Sequence, residues 1–156
     1  MIRNTTVTVC GPLNVNKLGV TYVHEHLMVK PQLPDEYYIP YTLDDEAAST
    51  EETRSFSAAG GETLVEMTPI NYGRNVRAYQ RIAQATGVHV ICCTGFHKQL
   101  FMPPWFGDKT DGELYDILMD EVTNGLDDTE IHPGVIKLGT SFDEVTAVEK
   151  RSIEAV

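Results

Sequence analysis

The sequence predicts an α/β fold built on a parallel sheet, and three patterns carry that expectation. Short apolar, β-branched runs, such as residues 88–94 and 134–139, alternate with stretches that repeat apolar residues at helical spacing. Glycines close two of the helical stretches, at Gly60-Gly61 and at Gly87. No internal repeat or low-complexity tract breaks the alternation. Strands that alternate with helices imply parallel pairing joined by right-handed crossovers.

Taken in order, residues 5–10 read as a strand, Gly11-Pro12-Leu13-Asn14 as a turn, and a return segment reaches Leu18-Gly19. This is a short β-hairpin ahead of the main fold. Residues 20–26 are the next strand. Residues 30–41 contain Pro31, Pro34 and Pro40 and have no periodicity, so a long loop is expected. Residues 44–59 are helix-like, and 62–67 are a strand. Residues 75–86 place Val76, Tyr79, Ile82 and Ala83 on one helical face. The run at 88–94 is a buried strand. An aromatic-rich loop at 96–108 leads to a helix at 111–124, with Leu114, Ile117, Leu118 and Val122 at helical spacing. Residues 134–139 are a further buried strand, and from Glu144 the pattern is helical again, with Val145, Val148, Ile153 and Val156 in amphipathic rhythm.

The result is a hairpin followed by four strand–helix units. The loops after the first and third strands are long, and in a barrel of such units the loops after the strands form the active-site face. Four units do not close an eight-stranded barrel, which takes roughly 250 residues. The expected fold is therefore the N-terminal half of a (β/α)8 TIM barrel, a partial domain over residues 1–156. It belongs to a larger protein or needs a partner, and its open sheet edge favours pairing, a homodimer included.

Composition narrows the function. The chain has 156 residues, 42% of them hydrophobic, which suits a packed core. A net charge of −11 with no basic cluster repels a phosphate backbone, so nucleic acid is not an expected partner. No apolar run has the length of a membrane span and the N-terminus lacks an apolar signal region, so the chain reads as cytoplasmic with no membrane partner. Of three cysteines, the adjacent Cys92 and Cys93 sit in an apolar run and read as buried thiols.

The richest local signal is His24-Glu25-His26. Residues two apart on a strand share a face, so both imidazoles aim into one space, and two neutral imidazoles make half of a metal site. A second signal is Lys137 in the middle of Val135-Ile136-Lys137-Leu138, because lysine is seldom buried without a partner. Three readings stand at this point: a lysine on an edge strand that reaches solvent, a pair with an acid such as Glu66, or an amine neutralised by chemistry and used.

Several segments together resemble the phosphotriesterase family of the amidohydrolase superfamily, with its lactonases and homology proteins. Gly11-Pro12, Leu18-Gly19-Val20-Thr21 and His24-Glu25-His26-Leu27 resemble its opening. Val65-Glu66-Met67-Thr68-Pro69 with Gly73-Arg74-Asn75-Val76 resembles its second strand and the following helix start. Val88-His89-Val90-Ile91-Cys92-Cys93-Thr94-Gly95-Phe96 resembles its third strand, and Pro133-Gly134-Val135-Ile136-Lys137-Leu138-Gly139 its fourth. The matches run in order along essentially the whole chain.

The resemblance implies a hydrolase acting on ester, lactone or phosphoester bonds of a small molecule. It implies two divalent metal ions, usually zinc, with His24 and His26 on the more buried one. It also implies that Lys137 carries a carbamate derived from carbon dioxide and bridges both ions. A metal-bridging hydroxide would then be the nucleophile, since paired cations acidify bound water and polarise the bond under attack. Lys137 is on that account both ligand and catalytic residue. Two further histidines and an aspartate, which the family takes from later strands, have no counterpart here.

His97 falls where relatives carry an aromatic that lines the substrate pocket; a polar loop position is the equal alternative. Glu66 is either a carboxylate that orients a metal ligand or half of a salt bridge to Arg74, and the residue pattern leans to the salt bridge. Glu25 should point away from the site, Arg74 should serve the helix start and packing, His89 should be structural, and His132 should lie at the surface. Two rival functions remain: a catalytically silent half-barrel acting as a binding or assembly module, and a flavodoxin-like binding protein. The second ranks last, because no phosphate-binding glycine loop follows the first strand.

Overall fold

The computed structural model describes residues 4–31 and 41–156. A two-stranded ribbon, β1 (Thr5–Thr8) and β2 (Gly11–Asn14), precedes four strand–helix units. These are β3 (Thr21–Glu25) and α1 (Glu46–Ala58), β4 (Thr63–Glu66) and α2 (Val76–Thr86), β5 (His89–Phe96) and α3 (Asp111–Asn124), and β6 (Val135–Leu138) and α4 (Ala147–Glu154). The strands pair in parallel in the order β3-β4-β5-β6, so every crossover adds the next strand to the same edge. The sheet curls into half a barrel, with β3 and β6 as its edges. No helix among the described residues is long and apolar enough to cross a membrane.

The helices begin where side chains satisfy their first amides. Asp45 accepts from Ala48 N at α1 and Asn75 from Ala78 N at α2, while Thr110 with Glu113 and Thr146 with Glu149 form reciprocal capping boxes at α3 and α4. Gly87 ends α2 at φ 75, a left-handed conformation that glycine adopts without strain. The interior between sheet and helices is one cluster of Leu64, Val90 and Cys92 against Val76, Tyr79, Ile82 and Ala83, which Val9 closes from the ribbon. A second cluster packs Phe96 against Phe106, Leu114, Leu118 and Ala155. Each buried Val, Leu, Ile or Phe side chain among them contributes about 1.5–3 kcal/mol by leaving water.

Most expected elements are present, with shifted ends. The hairpin is the clear correction: Gly11-Pro12-Leu13-Asn14 is not the turn but the second strand, with Thr5 opposite Asn14 and Thr8 opposite Gly11. Val9 and Cys10 make the turn, stabilised by Thr8 Oγ1, which donates to Gly11 O and accepts from Cys10 N. Pro12 is tolerated because the ribbon has only edges. β3 stops at Glu25, one residue short of His26, and its register with β4 shifts between Tyr22 and Glu25. The stretch at 96–108 contains 3-10 turns at Gln99–Phe101 and Pro104–Asp108, and the last helix starts at Ala147 rather than Glu144. Residues 32–40, most of the loop expected at 30–41, lie outside the described residues; its stem is closed by reciprocal hydrogen bonds between Val29 and Leu43.

Candidate metal centre

The end of β3 and the residue that follows it bring His24 and His26 together at the C-terminal end of the sheet, with ring centroids 5.3 Å apart, edge to face. The register shift before Glu25 does not separate them. Glu25 Oε1 accepts from His26 N at 2.8 Å, and Glu25 lines a groove between β3 and α1 together with His26, Phe56 and Leu64.

His26 is held by a chain of hydrogen bonds that reaches into the protein. Thr68 Oγ1 donates its single proton to Glu66 Oε1 at 2.5 Å. The same oxygen is 2.8 Å from His26 Nδ1, so with Glu66 ionised it accepts there, which favours the tautomer with the imidazole proton on Nδ1. In that tautomer Nε2 keeps its lone pair. Glu66 is fully buried, and its carboxylate also accepts from Leu27 N at 3.2 Å and Thr68 N at 3.1 Å. Burial raises its carboxyl to about 7 against the pull of these donors. Burial likewise lowers the His26 imidazole to about 4, helped by the nearby Lys137 charge and then by His24.

This corrects the salt bridge expected between Glu66 and Arg74. Arg74 is occupied elsewhere, forked between Glu121 and Asp127, with its nearest contact to each at 2.6 Å. Sequence proximity suggested that pair; the strand instead turns Glu66 toward Tyr79 and the start of the β3 loop.

Lys137 is 7% exposed and donates to Met67 O at 3.2 Å, and burial lowers its amine from the ordinary lysine value. No salt bridge joins it to Glu66 among the described residues. β5 approaches closely at this point: Gly95 pairs with Lys137, and a side chain on Gly95 would collide with the Lys137 carbonyl. The absence of a Cβ is what admits β6 here.

His97 follows the end of β5, where the Lys137 charge acts on it. Its ring stacks on Phe101 (4.8 Å, 15°) and meets Tyr72 edge-on at 4.7 Å; Tyr72 in turn stands 5.9 Å from His26. Burial and the Lys137 and Lys98 charges lower His97 to about 3, so it is neutral in ordinary buffers. Its Nδ1 is buried without a hydrogen-bond partner.

Among the described residues no group of three or more His, Cys, Asp or Glu gathers to hold a metal ion. What stands together is half a donor set: two imidazoles, one with its ligating nitrogen freed by Thr68, and a buried amine whose charge is felt at both His26 and His97. These residues fit a divalent cation as part of a shell completed from elsewhere.

The model of the phosphotriesterase family matches residues 4–156. The chain belongs to the phosphotriesterase family. It is 32% identical over 99% of its length to a phosphotriesterase-related protein of Nematostella vectensis, and covers 53% of that protein. It is 31% identical over 94% of its length to a phospho-furanose lactonase of Mycoplasmopsis synoviae, and covers 46% of it. The crystal structure of a lactonase from Listeria monocytogenes superposes with a TM-score of 0.88 at 28% identity, over 97% of this chain and 52% of that one. The chain thus spans about half the length of the curated relatives it matches. Its fold is the N-terminal half of the (β/α)8 barrel of phosphotriesterase-family proteins.

In this phosphotriesterase-family half-barrel, Thr68, Tyr72 and Phe101 escaped sequence reasoning. Thr68 stands two residues beyond Glu66, and the i, i+2 rule applied to that pair would have exposed it. Tyr72 and Phe101 come from irregular segments, where no period marks them. Of the other histidines, His89 opens β5, and His132 is half-buried with Nδ1 3.1 Å from Val122 O. Cys92 and Cys93 are buried free thiols.

Proposed function

We propose that residues 1–156 supply the first four strand–helix units of a metal-dependent hydrolase domain that opens ester bonds in lactones or related small esters and phosphoesters. The observation that carries this reading is His26, whose Nε2 is freed for ligation by the Thr68–Glu66 chain beside His24 and Lys137. Imidazole ligands suit zinc among the common divalent ions. His24 and His26 would hold one ion, and Lys137 would contribute to two. Its neutral amine, favoured by burial, adds to carbon dioxide: an N–C bond forms, a proton leaves, and the carbamate offers two oxygens as ligands. Bound cations there acidify water and polarise the ester group.

The chain's own residues do the rest. Thr68 and Glu66 orient His26 and hold its proton on Nδ1. Tyr72, His97 and Phe101 form an aromatic wall that binds the apolar face of a small ring and excludes water from the reacting bond. A small-ring substrate agrees with the lactonase names of two of the relatives.

The test is metal analysis of the full-length protein with a panel of lactones and phosphotriesters. Lys137→Ala should lose metal and most turnover, with partial rescue by bicarbonate or a short carboxylic acid that fills the vacated space. Lys137→Met with full metal content and full turnover would make Lys137 a packing residue and end the binuclear reading.

A further inference from the structure

We propose that Glu149 is a positioning residue for the substrate pocket, tying the loop after β5, and with it His97, to the loop after β6. The proposal rests on the hydrolase reading for its functional meaning and on geometry for the tie itself.

Glu149 lies in the first turn of α4 and is fully buried. A glutamate at this place in a capping box ordinarily returns to its own N-cap and no further. Glu113 at the start of α3 does that: it is exposed and accepts from Thr110 N at 2.8 Å, with Lys109 as its other neighbour. Glu149 also closes its box, Oε2 accepting from Thr146 N at 3.0 Å. Its other oxygen is used at long range, accepting from Gln99 N at 2.9 Å and Ser141 Oγ at 2.6 Å. Three chain segments converge on one carboxylate: the turn after β5, the loop after β6, and the start of α4. No lysine or arginine pairs with it among the described residues. Burying a carboxylate without a cation is costly, and these donors are its compensation. They outweigh burial and hold the carboxyl at about 2.

The tie reaches the pocket directly. Gln99 opens the 3-10 turn that ends at Phe101, the ring on which His97 stacks. From the other side, Gly139 N donates to Phe96 O at 3.1 Å, and a side chain on Gly139 would collide with His97 Nδ1 and Lys98 N. His97 is therefore clasped between two loops, and Glu149 fixes their separation.

The experiment compares Glu149→Gln and Ser141→Ala in the full-length protein, reading KM, kcat, melting temperature and hydrogen exchange of the Gln99 amide. Neither residue touches His24, His26 or Lys137, so loosening the clasp should act on substrate binding before chemistry. Glu149→Gln should raise KM about tenfold with kcat within about twofold, and Ser141→Ala should move KM the same way by about threefold. Gln99 exchange should rise in both, and the KM effect should shrink when His97 is already phenylalanine. A lower melting temperature with KM and Gln99 exchange unchanged would overturn the proposal, leaving Glu149 as a helix cap alone. If Glu149→Gln does not fold, Ser141→Ala decides by the same criteria. An unmodified protein without hydrolase turnover would overturn the functional reading, and Gln99 exchange would then decide the tie by itself.

Discussion

Two carboxylate clusters flank the central strands, one gathered around a buried arginine near the surface and one fully buried, and they are compensated differently. On one side, Glu121 and Asp127 share the Arg74 guanidinium, which also donates to Cys93 O, and Thr94 Oγ1 donates to Glu121 at 2.5 Å. Burial opposes the guanidinium charge there, but its hydrogen bonds to Asp127 and Glu121 more than restore it. On the other side, Glu66 pairs with no lysine or arginine among the described residues; Thr68, the Tyr79 hydroxyl and two backbone amides serve it, and the chain of hydrogen bonds ends at His26. The first cluster is electrostatically closed and joins α3 and its following loop to the sheet. The second is left short of charge compensation, and its strain is expressed as shifted protonation at Glu66 and His26. Buried groups whose ordinary ionisation is displaced are what ligand and catalytic sites are made of, whereas a satisfied ion pair signals architecture.

That contrast fails if the two clusters respond alike to mutation. The largest stability effect should come from the closed one. Arg74→Met removes a buried guanidinium with its charged hydrogen bonds to Glu121, Asp127 and Cys93 O and should cost about 1.5–3 kcal/mol, measured by denaturant unfolding. The metal affinity of whatever remains folded should be little changed. Thr68→Val should do the reverse. It removes the orienting hydroxyl from His26 and should weaken divalent-metal binding by about 10–100-fold in a calorimetric titration, with a stability loss of about 1–2 kcal/mol.

The smallest and most selective difference is in pH dependence. His97 is lowered from 6.5 to about 3, so below pH 6.5 the unfolded chain takes up a proton that the folded chain refuses. Its contribution to stability therefore falls as pH drops from about 6.5 toward 3, and His97→Phe should remove that part of the slope. Glu66 acts with the opposite sign. Raised to about 7, it binds its proton more tightly when folded, so its contribution is present at low pH and fades as pH rises through 7. Glu66→Gln should abolish that fading. Denaturant midpoints across pH 4–8 check both.

How much of this was legible in the sequence varies with the kind of signal. Strand–helix alternation gave the four units because side-chain period survives in one dimension. The hairpin was misread at Gly11-Pro12, since turn-favouring residues also suit a ribbon that has only edges. His24 with His26 is legible because residues two apart in an extended segment meet by local geometry, even where the strand itself ends at Glu25. The partner of Glu66 was not: Arg74 is near in sequence, but strand direction and the α2 packing decide who meets whom. The aromatic wall was half legible, through His97 alone. Tyr72 and Phe101 reach it from irregular segments whose course only tertiary packing sets.

The claim that the uncompensated cluster prepares His26 as a metal ligand can be read from the imidazole itself. Nitrogen-15 NMR of His26, at neutral pH and during a zinc titration, distinguishes the two tautomers. The account predicts a proton on Nδ1, a bare Nε2, and a shift of Nε2 alone as zinc binds. A proton on Nε2, or an Nε2 resonance indifferent to zinc, would contradict it.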